Sequence, residues 1–192
     1  MTLALTPYLA DLLEVVWQAL EVAHREKARL IVGIDGPCAS GKSALAEALA
    51  LRARAAQWTI QVIHLDDFFW PLEKRPLEAD RVAGENFERP RFIKEVWEPL
   101  LRGEKFYYRP YSCKLGQYLP GNWLEPGNLN LIEGTYCGHP ALRPAYDFYW
   151  RLKIEPKIQR ERILARNGPQ AWPQFRDRWL PLEALYFSTF RE

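Results

Sequence analysis

The sequence is short of cysteine and histidine, has almost no charge imbalance, and contains no long apolar run. Only three cysteines occur in 192 residues: Cys38, Cys113 and Cys137. An odd count without CxxC or zinc-ligand spacing argues against a disulfide framework or a zinc module, and points to a reducing, cytoplasmic compartment. Of the three histidines, His64 falls on an expected strand and His139 near a turn. Neither pairs with a Ser or Cys nucleophile in a recognisable order, so both read as structural. The 26 basic and 24 acidic residues leave a net charge of +2, without the basic excess of a nucleic-acid binder. No segment approaches the roughly 20 apolar residues of a membrane span. The N-terminus has no basic start, and Asp11 and Glu14 interrupt its apolar stretch, which argues against a signal peptide. Repeats and low-complexity segments are absent. What is present, 48% hydrophobic and 26% charged residues, is the composition of one soluble domain spanning 1–192.

Thr6-Pro7 reads as an N-cap followed by Pro at the first helical position. Leu9, Leu12, Leu13, Val16 and Leu20 recur at helical spacing, which predicts an amphipathic helix over 7–26 packed on the domain. Residues 29–35 (RLIVGID) form a short branched apolar run, expected to be a buried strand. A loop over 36–43, a helix over 43–56 and a second strand over 59–66 complete a βαβ unit, and hence a parallel sheet. Further strands are expected over 128–133 and 146–154. Helices are expected over 156–166, capped by Asn167-Gly168, and over 173–190, broken near Pro181. Between them, 68–126 is rich in proline and aromatics and holds a helix near 90–101. This irregular insertion is expected to bind substrate. No fifth strand is visible before Glu192. With the loop residues 36–43 fitting G-x-x-x-x-G-K-[ST], the expected class is α/β: a three-layer P-loop NTPase with a mostly parallel sheet of about four to five strands and helices on both faces.

Gly36, Pro37, Cys38, Ala39, Ser40, Gly41, Lys42 and Ser43 fit the pattern G-x-x-x-x-G-K-[ST], with Ala44 following on the helix. The two glycines let the chain bend around a phosphate. Backbone N–H groups and the positive end of the next helix then face the anion. Lys42 is expected to reach the β- and γ-phosphates of ATP, and the Ser43 hydroxyl to hold Mg²⁺. A chance match in a chain this long is expected on the order of one time in a hundred. The strand before the motif and the helix after it are what the mechanism requires. Cys38 reads as a small filler residue at a variable position of the loop.

Ligands of doubly wound sheets bind outside the carboxyl ends of the strands. Asp35, Asp66-Asp67 and Glu133 all fall at such ends and are expected to converge near the γ-phosphate. Asp66 is the candidate base for an acceptor hydroxyl, and Asp66 and Glu133 are candidate Mg²⁺ ligands beside Ser43. Asp67 should diverge, because neighbouring side chains on an extended chain point apart. Arg75, Arg81, Arg89 and Arg91 form a basic cluster in the insertion. It reads either as a solvated face or as a site for an acidic or phosphorylated substrate.

Beyond the loop, L-D-D-F-F at 65–69, N-F-E-R-P at 86–90, R-P-Y at 109–111, I-E-G-T-Y at 132–136, R-I-L-A-R-N-G at 162–168 and R-W-L-P-L-E at 178–183 resemble the uridine kinase-like branch of P-loop small-molecule kinases, which includes phosphoribulokinase relatives. The resemblance covers roughly 29–187. It implies that Asp66 takes the acceptor proton, that Phe69 and Tyr111 touch a nucleoside, that Glu88 with neighbouring Arg89 binds ribose hydroxyls, and that Glu133 helps hold Mg²⁺. It also implies that Arg162 and Arg166, four apart on one helix face, clamp ATP phosphates with Lys42. Phe69 stands where a Tyr is frequent, Glu88 where an Asp is, and the stretch after Tyr111 lacks the usual histidine. The implied activity is ATP-dependent transfer of the γ-phosphate to a hydroxyl of a small molecule, with uridine or cytidine as the leading acceptor. The alternatives are a vitamin-like alcohol, a sugar phosphate, or a nucleotide-gated binding module with weak ATPase activity. The implied partner is a small-molecule acceptor, not nucleic acid or membrane, and a homo-oligomer is allowed for.

Overall fold

The computed structural model describes residues 5–75, 82–84 and 86–190; Arg81 lies outside them. The chain opens with α1 (Pro7–Glu26), whose N-cap Thr6 hydroxyl accepts the Leu9 N–H. Then come β1 (Leu30–Asp35), α2 (Lys42–Ala55) and β2 (Ile60–His64). The insertion holds a helix over 89–102, made of α3 (Arg89–Phe92), a π-helical turn (Ile93–Trp97) and α4 (Glu98–Arg102). Two small antiparallel pairs follow, in which β3 (Phe106–Tyr108) pairs with β6 (Asn122–Leu124), and β4 (Tyr111–Ser112) with β5 (Gln117–Tyr118). The chain returns through β7 (Leu129–Glu133), β8 (Phe148–Arg151) and α5 (Pro156–Asn167). It ends in a helix over 172–189 that comprises α6 (Trp172–Gln174), a π-helical turn (Phe175–Trp179) and α7 (Leu180–Thr189).

The main sheet has the order β2-β7-β1-β8 with every pair parallel. All six residues of β1 are buried, as a strand covered on both faces must be. On one face Val32, Ile34, Leu129 and Leu131 pack against Leu9, Val16 and Leu20 of α1 and Leu45 and Leu49 of α2. On the other, Ile31, Ile63 and Ile132 meet Phe68, Phe92, Trp97, Tyr146 and Tyr186. The architecture is therefore the expected three-layer α/β sandwich with four parallel strands, and no fifth strand joins it among the described residues.

Two local expectations change. The second strand stops at His64, because Leu65–Phe68 turns into a 3₁₀ helix that buries Leu65 and Phe68. The last helix is not broken at Pro181. A proline ring clashes with the carbonyl four residues back and offers no N–H. Here the preceding turn widens, so that the Leu180 N–H bonds to the Phe175 carbonyl five residues back. The same device precedes Pro99, where the Glu98 N–H bonds to the Ile93 carbonyl. One π-helical turn thus lets each helix run past its proline with little lost bonding.

Candidate active site

The phosphate loop joins the C-terminal end of β1 to α2. Gly36 and Gly41 adopt φ of +145° and +106°, which glycine tolerates best. A Cβ at Gly41 would also come within 2.6 Å of Leu9 Cδ1, so α1 packs directly on the loop. Ala39 holds φ of +61°, an uncommon conformation for a residue with a side chain. Gly41 offers no side chain to cap α2, which leaves the first-turn N–H groups facing an anion site. Lys42 is buried, and its Nζ donates to the Pro37 carbonyl at 3.0 Å, curled over the loop.

Parallel register brings the acids to this loop. Glu133, at the end of β7, lies beside Ile34 of β1 and His64 of β2. Its Oε1 accepts the Ser43 hydroxyl at 3.1 Å and lies 2.5 Å from His64 Nδ1. That hydrogen bond is the main reason the His64 pKa is raised, against an opposing effect of burial. Sequence reading treated His64 only as structural. That contact with Glu133 across the neighbouring strand is a structural one, which holds the carboxylate in place.

Asp66 projects from the 3₁₀ turn into the cleft. Its carboxyl meets solvent, yet the surrounding protein removes enough hydration to raise its pKa. Lys42 pulls that pKa down, and Glu133 and Asp67 push it further up. Asp67 diverges as expected: its carboxylate accepts the Tyr108 hydroxyl and its carbonyl accepts Arg91 Nη2 at 3.0 Å.

Arg162 and Arg166 of α5 both reach the loop. Arg162 Nη1 donates to the Ala39 carbonyl at 2.9 Å, and Arg166 Nη2 lies 3.3 Å from Cys38 Sγ. Gln159, one turn earlier, donates to the Cys38 carbonyl at 3.0 Å. Burial raises the Cys38 thiol pKa despite Arg166 and Lys42, so the thiol lacks the depressed pKa of a reactive cysteine.

Glu183 of α7 is a site residue that sequence reading missed. Its Oε2 accepts the Cys38 backbone N–H at 2.9 Å while the residue is buried. Desolvation pushes its pKa up to about 7, opposed by the Cys38 N–H and Lys42. Its segment was noticed only as the end of R-W-L-P-L-E, and a glutamate on a helix has no sequence signal marking it as buried.

Asp35 overturns an expectation. It is fully buried and faces away from the cleft. Its Oδ1 accepts the Gly36 N–H at 2.8 Å. Its Oδ2 accepts the Tyr149 and Tyr186 hydroxyls at 2.8 and 2.9 Å and the Gly138 N–H at 3.2 Å. Asp35 therefore ties the root of the loop to β8 and α7. The reason is strand geometry: successive side chains alternate faces, and the chain turns away at Gly36.

No family model and no curated protein matches this sequence. Solved structures do match in fold. A candidate uridine kinase from Bacillus stearothermophilus superposes with a TM-score of 0.73 at 21% identity, over 95% of this chain and 93% of that one. A candidate fructose transport system kinase from Silicibacter gives 0.76 at 24% identity, over 96% and 95%. A D-glycerate 3-kinase from Cryptococcus neoformans gives 0.51 at 18% identity, over 69% of this chain and 53% of that one. The fold is that of the uridine kinase-like P-loop kinases.

Within that fold, the cleft beside the loop has a volume of about 960 Å³, at the upper end for small-molecule sites. Lys42, Ser43, Asp66, Phe69, Glu133, Arg162 and Arg166 line it. Glu88, Tyr111 and Arg89, which sequence also singled out, do not line it. Glu88 pairs with Arg91 Nε at 2.7 Å and accepts the Tyr118 hydroxyl at 3.4 Å. Tyr111 is buried against Tyr118, with ring centroids 5.2 Å apart. Arg89 Nη1 lies 2.8 Å from His139 Nε2. Burial, reinforced by Arg89, pushes the His139 pKa down to about 4, which keeps that ring neutral.

Proposed function

We propose that this protein is an ATP-dependent kinase that transfers the γ-phosphate to a hydroxyl of a small molecule. One observation carries the reading: Asp66, a carboxyl that reaches solvent, shares a single cleft with the phosphate-loop Lys42 and the Ser43–Glu133 pair. A protein that only binds nucleotide needs the loop, whereas transfer also needs a base beside the γ-phosphate and space for an acceptor.

In this reading Lys42 leaves the Pro37 carbonyl to meet the β- and γ-phosphates, and Arg162 and Arg166 cover them from α5. Ser43 and Glu133, joined at 3.1 Å, are the hard oxygen donors that fit Mg²⁺, with Asp66 available at the same cleft. Mg²⁺ held by these residues would supply neutralisation of phosphate charge. Asp66 accepts the proton of the acceptor hydroxyl as its oxygen bonds to the γ-phosphorus. The bond from that phosphorus to the bridging oxygen breaks, and ADP leaves.

A second cavity of about 970 Å³ adjoins the loop, lined by Leu9, Pro37, Ser40, Leu152, Ile158 and Phe187 among others. It is largely apolar, and among the described residues the buried Ser40 hydroxyl has no hydrogen-bond partner. Both features suit the nucleobase end of ATP. The kinase reading has the support of a fold shared with kinase structures, and a cytoplasmic location accords with three unpaired cysteines. Among the described residues no helix is long and apolar enough to cross a membrane.

The test is ADP release from Mg-ATP across neutral and anionic alcohols. Strong stimulation by one acceptor, lost in Lys42→Ala, supports the kinase. Acceptor-independent hydrolysis alone would favour a nucleotide-gated module.

A further inference from the structure

The basic cluster of the insertion separates into two groups with different chemistry. Arg91 is internal: it is buried, pairs with Glu88 and Glu95, donates to the Arg109 and Asp67 carbonyls, and lies over the Phe68 ring. Arg89 is turned to His139. Arg75 behaves differently. Its Nε donates to the Trp70 carbonyl at 2.9 Å, its Nη2 lies 3.0 Å from Cys113 Sγ, and its guanidinium lies over Trp179 at 5.5 Å. None of these partners carries negative charge. Next to Cys113 stands Lys114, which is exposed and makes no ion pair among the described residues. Both cations line the same cleft as Asp66 and Lys42.

A held guanidinium with no carboxylate partner among the described residues, lining one cleft with a second cation, is an arrangement that recognises a ligand carboxylate or phosphate. The surrounding surface adds shape. Phe69, Tyr136, Phe175 and Trp179 line the cleft with aromatic surface. Asp66, Glu133 and Glu183 line the same cleft, together with Lys42. An acceptor negative at one end and bearing a hydroxyl at the other can engage both the cations and Asp66, whereas a neutral alcohol can engage only Asp66. The carboxylate a ribose-binding reading relies on, Glu88, is engaged by Arg91.

We propose that Arg75 and Lys114 form an anion-recognition subsite, and that the acceptor is a small hydroxy acid or sugar phosphate whose carboxylate or phosphate they bind while its hydroxyl meets Asp66. The proposal rests on the kinase reading for the word acceptor, but the anion subsite can be measured without turnover.

The experiment is calorimetric titration of the full chain, loaded with a non-hydrolysable ATP analogue and Mg²⁺. The probes are D-glycerate, pantothenate and ribulose 5-phosphate, set against glycerol, pantothenol and uridine, with parallel ADP-release assays. Glycerate and pantothenate report a carboxylate, ribulose 5-phosphate a phosphate. The expected result is binding of an anionic probe but not its neutral counterpart, weakened about tenfold by Lys114→Gln and by Arg75→Gln. Arg75→Lys should restore part of the loss, and affinity for the ATP analogue should be unchanged. Lys114 is exposed, so its substitution also controls against misfolding at Arg75. Anion binding with this dependence but no ADP release would sustain the subsite and defeat the kinase reading. Turnover of a neutral acceptor, unaffected by either substitution, would sustain the kinase and overturn the subsite. If no probe binds, the subsite is likewise overturned.

Discussion

Glu183, near the end of the chain, accepts the backbone N–H of Cys38 inside the phosphate loop at 2.9 Å. The contact spans 145 positions in sequence and places a buried acid against a loop built for anions. Binding of a phosphate near Cys38 brings two negative groups together unless Glu183 is protonated or moves away. The first prediction follows from the cost of keeping that carboxyl buried.

The Glu183 pKa rises from an ordinary 4.5 to about 7 on folding. Between those values the folded chain holds a proton that the unfolded chain has released. Stability from this group is therefore complete at low pH, declines as pH rises toward about 7, and is flat above. Glu183→Gln removes the ionisation and keeps an acceptor for Cys38. The nucleotide-free variant should be more stable than the parent at pH 8 by roughly 3 kcal/mol, with little difference at pH 4.5. Denaturant titration at the two pH values checks this. An equal difference at both would remove the buried charge from the explanation.

Asp35 should matter for stability rather than turnover. Tyr186→Phe deletes one hydroxyl from its cluster and should cost about 1.5–3 kcal/mol, the range for a hydrogen bond to a charged group. Adding Tyr149→Phe should cost more than the two single changes combined, since Asp35 loses both side-chain donors. Equilibrium unfolding of both single variants and the double variant measures this. Strict additivity would show that the two hydroxyls act independently.

Lys42→Ala should lower affinity for ATP at least tenfold, because no other cation of the loop meets the phosphates. Titration with a fluorescent ATP analogue reads the loss. Lys42 is buried, so circular dichroism must confirm that the variant stays folded. Unchanged affinity in a folded variant would place the nucleotide elsewhere.

The sandwich was legible because its signals are local. Branched apolar runs mark β1 and β7, and the glycines and lysine of 36–43 mark the turn between β1 and α2. Glu133 sits at the strand end that sequence assigns it, Asp66 reaches the cleft from a 3₁₀ turn just past its strand, and Arg162 and Arg166 follow from the family resemblance, their spacing putting both on one helix face. What escaped depends on tertiary packing. Whether Asp35 faces the cleft or the core is decided at the turn after it, and Glu88 is consumed by an arginine three residues on. Glu183 and His64 enter the site only because the last helix and the neighbouring strand pack against the loop. The helix break expected at Pro181 failed for a backbone reason: a wider preceding turn makes room for the ring.

The central claim is that Asp66 takes the proton from an acceptor hydroxyl. The most direct test is to follow phosphorylated acceptor by mass spectrometry under Mg-ATP, comparing wild type with Asp66→Asn at saturating substrates. The account predicts a fall in kcat on the order of 10²–10⁴-fold in the variant, with ATP affinity within about twofold of wild type. Product formation by Asp66→Asn at the wild-type rate would contradict it.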